Sequence, residues 1–263
     1  MQLVTWNVNS IRARHERVLA WLTTHRPAVL CLQETKVTDE AFPRAAFEAA
    51  GYHVTTAGQR TYNGVALLSR TPPVDVVRQF GDGETESAAR FLAVRIDDIR
   101  VLCVYVPNGR VVGSTHFADK LAWLGRLRRY LDRQEDPGGL LAVCGDLNVA
   151  PEPRDVYDPA AWQGTVLFHP QARAALRELC GWGLVDAVRL HHQDGELYSW
   201  WDYRARSFPR NHGLRIDHIL ASSALAARCT GAWIDRVARQ GPGASDHAPV
   251  SATFSCAGVT HQR

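Results

Sequence analysis

Apolar residues along this chain come in short runs rich in β-branched side chains, each stopped by glycine, proline or a polar cluster. Such runs at 3–6, 29–33, 64–69, 74–79, 91–96, 100–106, 140–144, 215–221 and 250–254 predict strands. Between them the period lengthens. Ser10 is placed to cap a helix in which Ile11, Val18, Leu19 and Leu22 share a face until Pro27. From Ser114 onward, Phe117, Leu121, Leu124 and Leu131 mark a second amphipathic helix. A third runs from His169 to Leu179 and stops at the glycines of CGWG. The strands at 64–69, 74–79, 91–96 and 100–106 follow one another through short loops, which predicts antiparallel pairing with helices packed outside. The expected fold class is α/β, with two largely antiparallel sheets face to face. No repeat, linker or low-complexity stretch interrupts residues 1–263, so a single domain is expected. GDGETES (81–87) reads as a surface loop, and 255–263 as a mobile tail beyond the last strand.

Composition narrows the class. With 263 residues, 46% of them hydrophobic, the chain can bury a sizeable core. No apolar run approaches the roughly 18 residues of a membrane span. The start, MQLVTWNVNS, lacks a basic segment followed by an apolar one, so it does not read as a secretory signal. Six cysteines (31, 103, 144, 180, 229, 256) stand singly, several inside apolar runs. That pattern fits reduced core thiols in a cytoplasmic setting rather than a disulfide framework or zinc site. A net charge of +3 says little about partners. Of 30 basic residues only Lys36 and Lys120 are lysine. Arginine forks suit phosphate oxygens, although genomic base composition gives the same bias.

Candidate chemistry lies where the strands end. LVTWN delivers Asn7, VLCLQE delivers Glu34, and LAVCGDLN delivers Asp146 and Asn148. RIDHIL carries Asp217, and GASDHAP adds Asp246 and His247. Read as extended chain, Asp146 and Asn148 project together, whereas Asp246 and His247 point to opposite sides. A single polar residue at a strand end is ordinarily a turn-former; the repetition across strands is what points to a site. Converging Asp, Glu and Asn oxygens suit Mg²⁺, or Mn²⁺ in its place, and an anionic substrate such as a phosphate. A carboxylate free of the ion can activate water for in-line attack.

TWNVNSIRAR, LCLQETK, YNGVALLSR, YVPNGR, GDLNVAP, SWWDYR, GLRIDHIL and SDHAPV occur in order across almost the whole chain. Together they resemble the exonuclease III family of apurinic/apyrimidinic endonucleases, within the endonuclease/exonuclease/phosphatase superfamily. The resemblance implies a four-layer α/β/β/α sandwich with the site at one edge of the paired sheets. It implies that Glu34 is the principal metal ligand with Asn7 close by, and that Asp246 faces Asn7 at the metal edge. It gives Asp146 the attacking water, Asn148 the water and phosphate, and Tyr105 and Asn108 the scissile phosphate. Asp217 is expected to orient His247; Asp146 and Asn148 could hold a second ion. Trp200, Leu214 and Ile216 resemble a pocket for a flipped-out abasic sugar, or else fill core, as Trp201 is expected to do. Arg90, Asn63 and Lys36 touch DNA phosphates or are plain surface charge. His169 and the 152–170 segment could bias abasic-site incision against 3′-end trimming. The implied activity is Mg²⁺-dependent cleavage 5′ to abasic sites with 3′-end processing, by a monomer acting on duplex DNA and not at a membrane. The rivals are a phosphoesterase of the superfamily with another substrate and a non-catalytic DNA-binding module.

Overall fold

The structure, a computed structural model, describes residues 1–84 and 88–255. The expected tail past Ser255, Cys256 and part of the 81–87 loop lie outside the described residues. Among the described residues, twelve strands form two six-stranded sheets. The first contains β1 (Gln2–Asn7), β2 (Val29–Gln33), β3 (His53–Ala57), β4 (Val65–Ser69), β11 (Cys229–Ile234) and β12 (Val250–Phe254). Its order is β11-β12-β1-β2-β4-β3. The second contains β5 (Val74–Val77), β6 (Phe91–Ile96), β7 (Ile99–Tyr105), β8 (Leu141–Asp146), β9 (Leu184–Asp186) and β10 (Asp217–Ser222), in the order β5-β6-β7-β8-β10-β9.

Each sheet has one parallel pair at its centre, β1 with β2 and β7 with β8; every other pairing is antiparallel. A parallel pair needs a crossover. The helices α1 (Ile11–His25) and α3 (Thr115–Gln134) supply them. A shorter α2 (Arg44–Ala49) precedes β3. After β8 come α4 (Pro159–Trp162), α5 (Pro170–Gly181) and α6 (Ala187–His191), and α7 (Ser223–Ala226) follows β10.

Side-chain alternation assigns the layers. Leu3 and Val29 of one sheet meet Val101, Cys103, Cys144 and Ile219 of the other in a dry interior. Val4, Trp6 and Leu30 turn outward to α1, while Leu102, Val104 and Val143 turn outward to α3 and α5. The order is α/β/β/α, as the motifs implied. The described cysteines are free thiols, three of them fully buried. No described helix is long and apolar enough to cross a membrane.

The strands at 53–57, 184–186 and 229–234 were not legible as apolar runs. β3 and β11 are edge strands, and β11 has a register shift between Cys229 and Gly231 and leaves Thr230 and Trp233 exposed. β9 has only three residues. An edge strand borrows its regularity from a neighbour and needs little β-propensity of its own. Helix boundaries follow the capping reading in part. Ser114 accepts a hydrogen bond from the Phe117 N–H, but Ser10 makes no such bond and sits at φ 92.

Candidate active site

The site follows from the direction of the strands. β1 and β2 run parallel and finish together, Asn7 opposite Gln33, so Glu34 emerges beside Asn7. β7 and β8 finish together, Tyr105 opposite Asp146. β10 runs the other way and therefore begins at this edge, with Asp217 opposite Asp146. β12 is antiparallel to β1, so the segment that enters it carries Asp246 and His247 past the same edge. Packing the sheets face to face joins the two half-sets.

Asn7 is the joint. Its Nδ2 donates to Glu34 Oε1 at 2.8 Å and to Asp146 Oδ2 at 2.9 Å, while its Oδ1 accepts from the Asn9 N–H at 3.0 Å. With the nitrogen between the carboxylates, Asn7 orients the two acids and turns its oxygen away from them. Glu34 stands in the left-handed region at φ 53, and its Oε2 takes the Lys36 ammonium at 2.8 Å. Burial works to raise the Glu34 pKa, but Lys36 and the Asn7 hydrogen bond outweigh it and hold it below the ordinary value.

His247 pairs with Asp217. Its Nδ1 donates to Asp217 Oδ2 at 2.8 Å, and its Nε2 stands 3.8 Å from Asp146 Oδ2, an ion-pair distance with no hydrogen bond. Burial works to lower the imidazolium pKa, yet the charge and hydrogen bond of Asp217, with Asp146 and Asp246 behind it, push it up to about 10. The ring is a cation at neutral pH. Burial, reinforced by the charge of Asp217 and opposed by His247, pushes Asp146 up to about 7. Tyr105 is raised well above its usual range by burial and by the charges of Glu34 and Asp146, so it stays a neutral phenol.

Asp146 and Asn148 do converge, though not by strand alternation. β8 ends at Asp146, and Asn148 sits at φ 51 with its N–H donating to Asp146 Oδ1 at 2.9 Å. The carboxylate closes a tight turn on its own chain. Asn148 Nδ2 donates to the Val106 carbonyl at 3.0 Å, and its Oδ1 accepts from Asn108 Nδ2 at 3.0 Å.

Asp246 and His247 diverge, as an extended segment requires. Asp246 does not meet Asn7, however. Its Oδ1 accepts from Asn9 Nδ2 and its Oδ2 from Trp200 Nε1, each at 3.0 Å. Asn7 is taken by Glu34 and Asp146, so the partner is the residue two places on. Asn9 Oδ1 in turn accepts from Lys36 Nζ at 2.6 Å, linking Asp246 to Glu34 through one amide and one ammonium.

Leu214 and Ile216 sit where the core-filling alternative puts them, beneath Trp200 and Trp162. They are 0% and 2% exposed, packed with Val156, Leu167 and Phe168 in a satellite core. The 152–170 segment lies over them, with Val156 bridged to Leu214 and the Ala150 N–H bonded to the Leu167 carbonyl. Trp200 keeps partial exposure, with Trp162 edge-on at 6.2 Å, and Trp201 is core beside Phe208. Arg90 lies over the Tyr105 ring at 4.6 Å. A cleft of about 720 Å³ runs outward from Glu34 and Tyr105 past Lys36, Asn63, Arg90 and Asn108. His169 caps α5 and meets Phe117 edge-on.

Four residues of the site escape a reading of the sequence. Ser199 donates to Asp217 Oδ2 at 2.6 Å and accepts from the Ile216 and Asp217 N–H groups. Ser245 donates to the Asn7 carbonyl at 2.7 Å, and Asn9 relays as described. Lys120 is buried, and burial lowers its pKa against the field of Asp146, while three carbonyls accept from its ammonium. Only Lys120 left a signal, as one of two lysines in an arginine-rich chain.

A metal suits part of this set. Atoms of Glu34, Asp146 and His247 lie within 4.8 Å of one another. His247 as a cation is no ligand, which leaves two carboxylates, one of them partly open to solvent. Hard oxygens with room for water fit a divalent cation of the Mg²⁺ class, and the Lys36 ammonium on Glu34 marks where positive charge is already favoured.

Residues 4–247 match the Endonuclease/Exonuclease/phosphatase family. Exodeoxyribonuclease III of Haemophilus influenzae is 35% identical over 268 residues, covering 97% of this chain and 100% of that protein. The solved structure of an AP endonuclease from Archaeoglobus fulgidus is 40% identical with a TM-score of 0.94, covering 97% of this chain and 100% of that one. A 3′ phosphatase from Neisseria, solved bound to a product DNA hairpin, is 37% identical with a TM-score of 0.94 and the same coverage.

Proposed function

This chain belongs to the endonuclease/exonuclease/phosphatase family and is a hydrolase of the DNA-repair nuclease class; from that premise we propose its substrate, its metal and the work of each residue. The substrate is duplex DNA carrying an abasic site or a blocked 3′ end. Cleavage falls on the P–O3′ side, releasing a 3′-hydroxyl. The observation that carries this reading is the His247 imidazolium, fixed by Asp217 on one nitrogen and presenting the other beside Asp146. A buried cation facing outward next to a carboxylate of raised pKa suits an anionic centre attacked by water.

Glu34, linked to Asp246 through Asn9 and Lys36, would hold Mg²⁺, which when bound would neutralise phosphoryl oxygen charge and stabilise the leaving oxygen. Asp146, at about 7, accepts a proton from the attacking water near neutral pH. Asn7 holds Asp146 and Glu34 at fixed separation, so base and ligand cannot drift apart. His247 donates to a non-bridging phosphate oxygen. Tyr105, as a neutral phenol, donates to the same group rather than repelling it. The Asn108 and Asn148 amides, bonded to each other, line the other side. Arg90, over Tyr105, and Trp200, anchored on Asp246, contact the DNA flanking that phosphate.

The test is incision of a duplex bearing a tetrahydrofuran abasic analogue, beside release of phosphate from a 3′-phosphate duplex, with Mg²⁺ and with EDTA. Cleavage with Mg²⁺ and none in EDTA is expected. Full activity in EDTA, or in Asp146→Asn, refutes the mechanism.

A further inference from the structure

Lysine is rare in this chain, and both lysines lie at the site. Lys36 has a charge partner in Glu34. Lys120 has none. It projects from α3, is 0% exposed, and no carboxylate stands within ion-pair distance of it among the described residues. A bare ammonium in such a place is costly, and an apolar side chain of similar length would fill the space with less desolvation. What satisfies it is backbone. Its Nζ donates to the carbonyls of Asn108 at 3.1 Å, Asn148 at 2.6 Å and Val166 at 2.6 Å.

Those carbonyls belong to three different loops. Asn108 lies in the loop after β7, Asn148 in the loop after β8, and Val166 in the segment between α4 and α5 that covers Leu214. The first loop rides directly on the lysine stem. Gly109 has φ 92, and a Cβ there would come within 3.1 Å of Lys120 Cδ and 3.2 Å of Phe117. An ammonium radiates three N–H groups tetrahedrally, whereas a guanidinium presents its donors in one plane. That geometric difference accounts for lysine here, in a chain that otherwise writes its positive charge as arginine.

We propose that Lys120 is a positioning residue, a buried three-way tie that sets the Asn108 and Asn148 loops, and the 152–170 segment with them, in one register against the scissile phosphate. The inference rests on the proposed function for what the two asparagines contact. It does not rest on it for the tie itself. With Asn108 Nδ2 bonded to Asn148 Oδ1, loosening either backbone displaces both amides.

Lys120→Met and Lys120→Arg are compared with the full-length wild type by three measurements. Single-turnover cleavage of the 3′-phosphate and tetrahydrofuran duplexes gives kcat and the affinity for DNA. Binding from low to moderate salt gives the salt slope. Amide hydrogen exchange reads the loops with no substrate present. A loss of an ångström-scale register costs kcat about 100-fold in Lys120→Met, with Lys120→Arg in between. DNA affinity and its salt slope stay unchanged, because a buried ammonium neutralises no phosphate. Exchange quickens at 108–110, 148–150 and 165–168 and stays slow in the sheets. If Lys120→Met does not fold, Lys120→Arg carries the test with the same signs. Wild-type kcat in either folded variant overturns the proposal. So does a shallower salt slope, which marks a phosphate contact, or exchange that quickens evenly throughout, which marks general destabilisation. A wild type that cleaves neither duplex refutes the proposed function, while the exchange comparison still decides the tie.

Discussion

Replacing Asp217 by asparagine keeps the shape of the carboxylate and removes its charge from the His247 pair. The wild-type imidazolium stands at about 10 because Asp217, aided by Asp146 and Asp246, overcomes a burial effect that by itself lowers it. Without that charge, burial and the two remaining carboxylates pull against each other, and the ring returns toward the ordinary value of about 6.5. At pH 8 the protonated fraction then falls from nearly all to about 3%, a loss of about thirtyfold in turnover from protonation alone. The deficit shrinks as pH drops through about 6, where both rings are charged. Stability follows the same sign. A raised histidine pKa contributes stability that is fully present below about 6.5 and lost as pH rises through about 10. The gap in unfolding midpoint between wild type and variant is therefore widest at low pH and closes at high pH. Imidazole chemical shifts followed through a titration of the metal-free protein report the pKa directly, and a pH–rate profile of the tetrahydrofuran duplex reports its consequence. An alkaline limb left where it was, or an equal loss at pH 5.5 and pH 8, refutes the assignment of His247 as an Asp217-stabilised cation.

Other substitutions separate the remaining roles. Glu34→Gln is expected to raise the Mg²⁺ concentration for half-maximal rate by no less than about tenfold, since even residues outside the ligand set commonly cost that much; a metal titration of the initial rate checks it. Ser199→Ala leaves the Ile216 and Asp217 N–H groups without their hydroxyl acceptor. A loss of about 1–3 kcal/mol in urea unfolding is expected. Asp155 is fully buried between Arg189 and Arg215. Asp155→Asn takes the carboxylate from Arg189 and leaves Arg215 with Asp186 alone, and is expected to cost about 3 kcal/mol of stability, with turnover per folded molecule largely kept; calorimetry with an active-site titration distinguishes the two.

The residue types of the site are legible in the sequence because strands announce their ends. An apolar run that stops at Asn7, Gln33 or Asp146 and gives way to turn-forming residues marks a strand end, which puts the polar residue at the stop near the end of its sheet. Adjacent residues of an extended segment also diverge by geometry alone, so the sequence suffices to separate Asp246 from His247. The strand alternation read into Asp146 and Asn148 failed because β8 ends between them and the chain turns through a left-handed residue. A local rule holds only as far as the element to which it applies.

Tertiary structure decided the pairing. Which strands run parallel fixes which ends meet, and that ordering brings Asp217 opposite Asp146 and Asn7 opposite Gln33 across long stretches of chain. Nothing local says that Asp246 would find Asn9 instead of Asn7, because Asn7 had first to be claimed by acids from two sheets. Nothing local distinguishes Leu214 as core from Leu214 as pocket wall, since the segment that covers it lies far away in sequence. Lys120 shows the same limit, because a lysine on a helix is ordinarily solvated. Hydrophobic period and turn chemistry act over a few residues, and they wrote the strands, the helices and the polar set at their ends. Hydrogen bonds between distant loops depend on packing, and only the packed sheets could say which donor meets which acceptor.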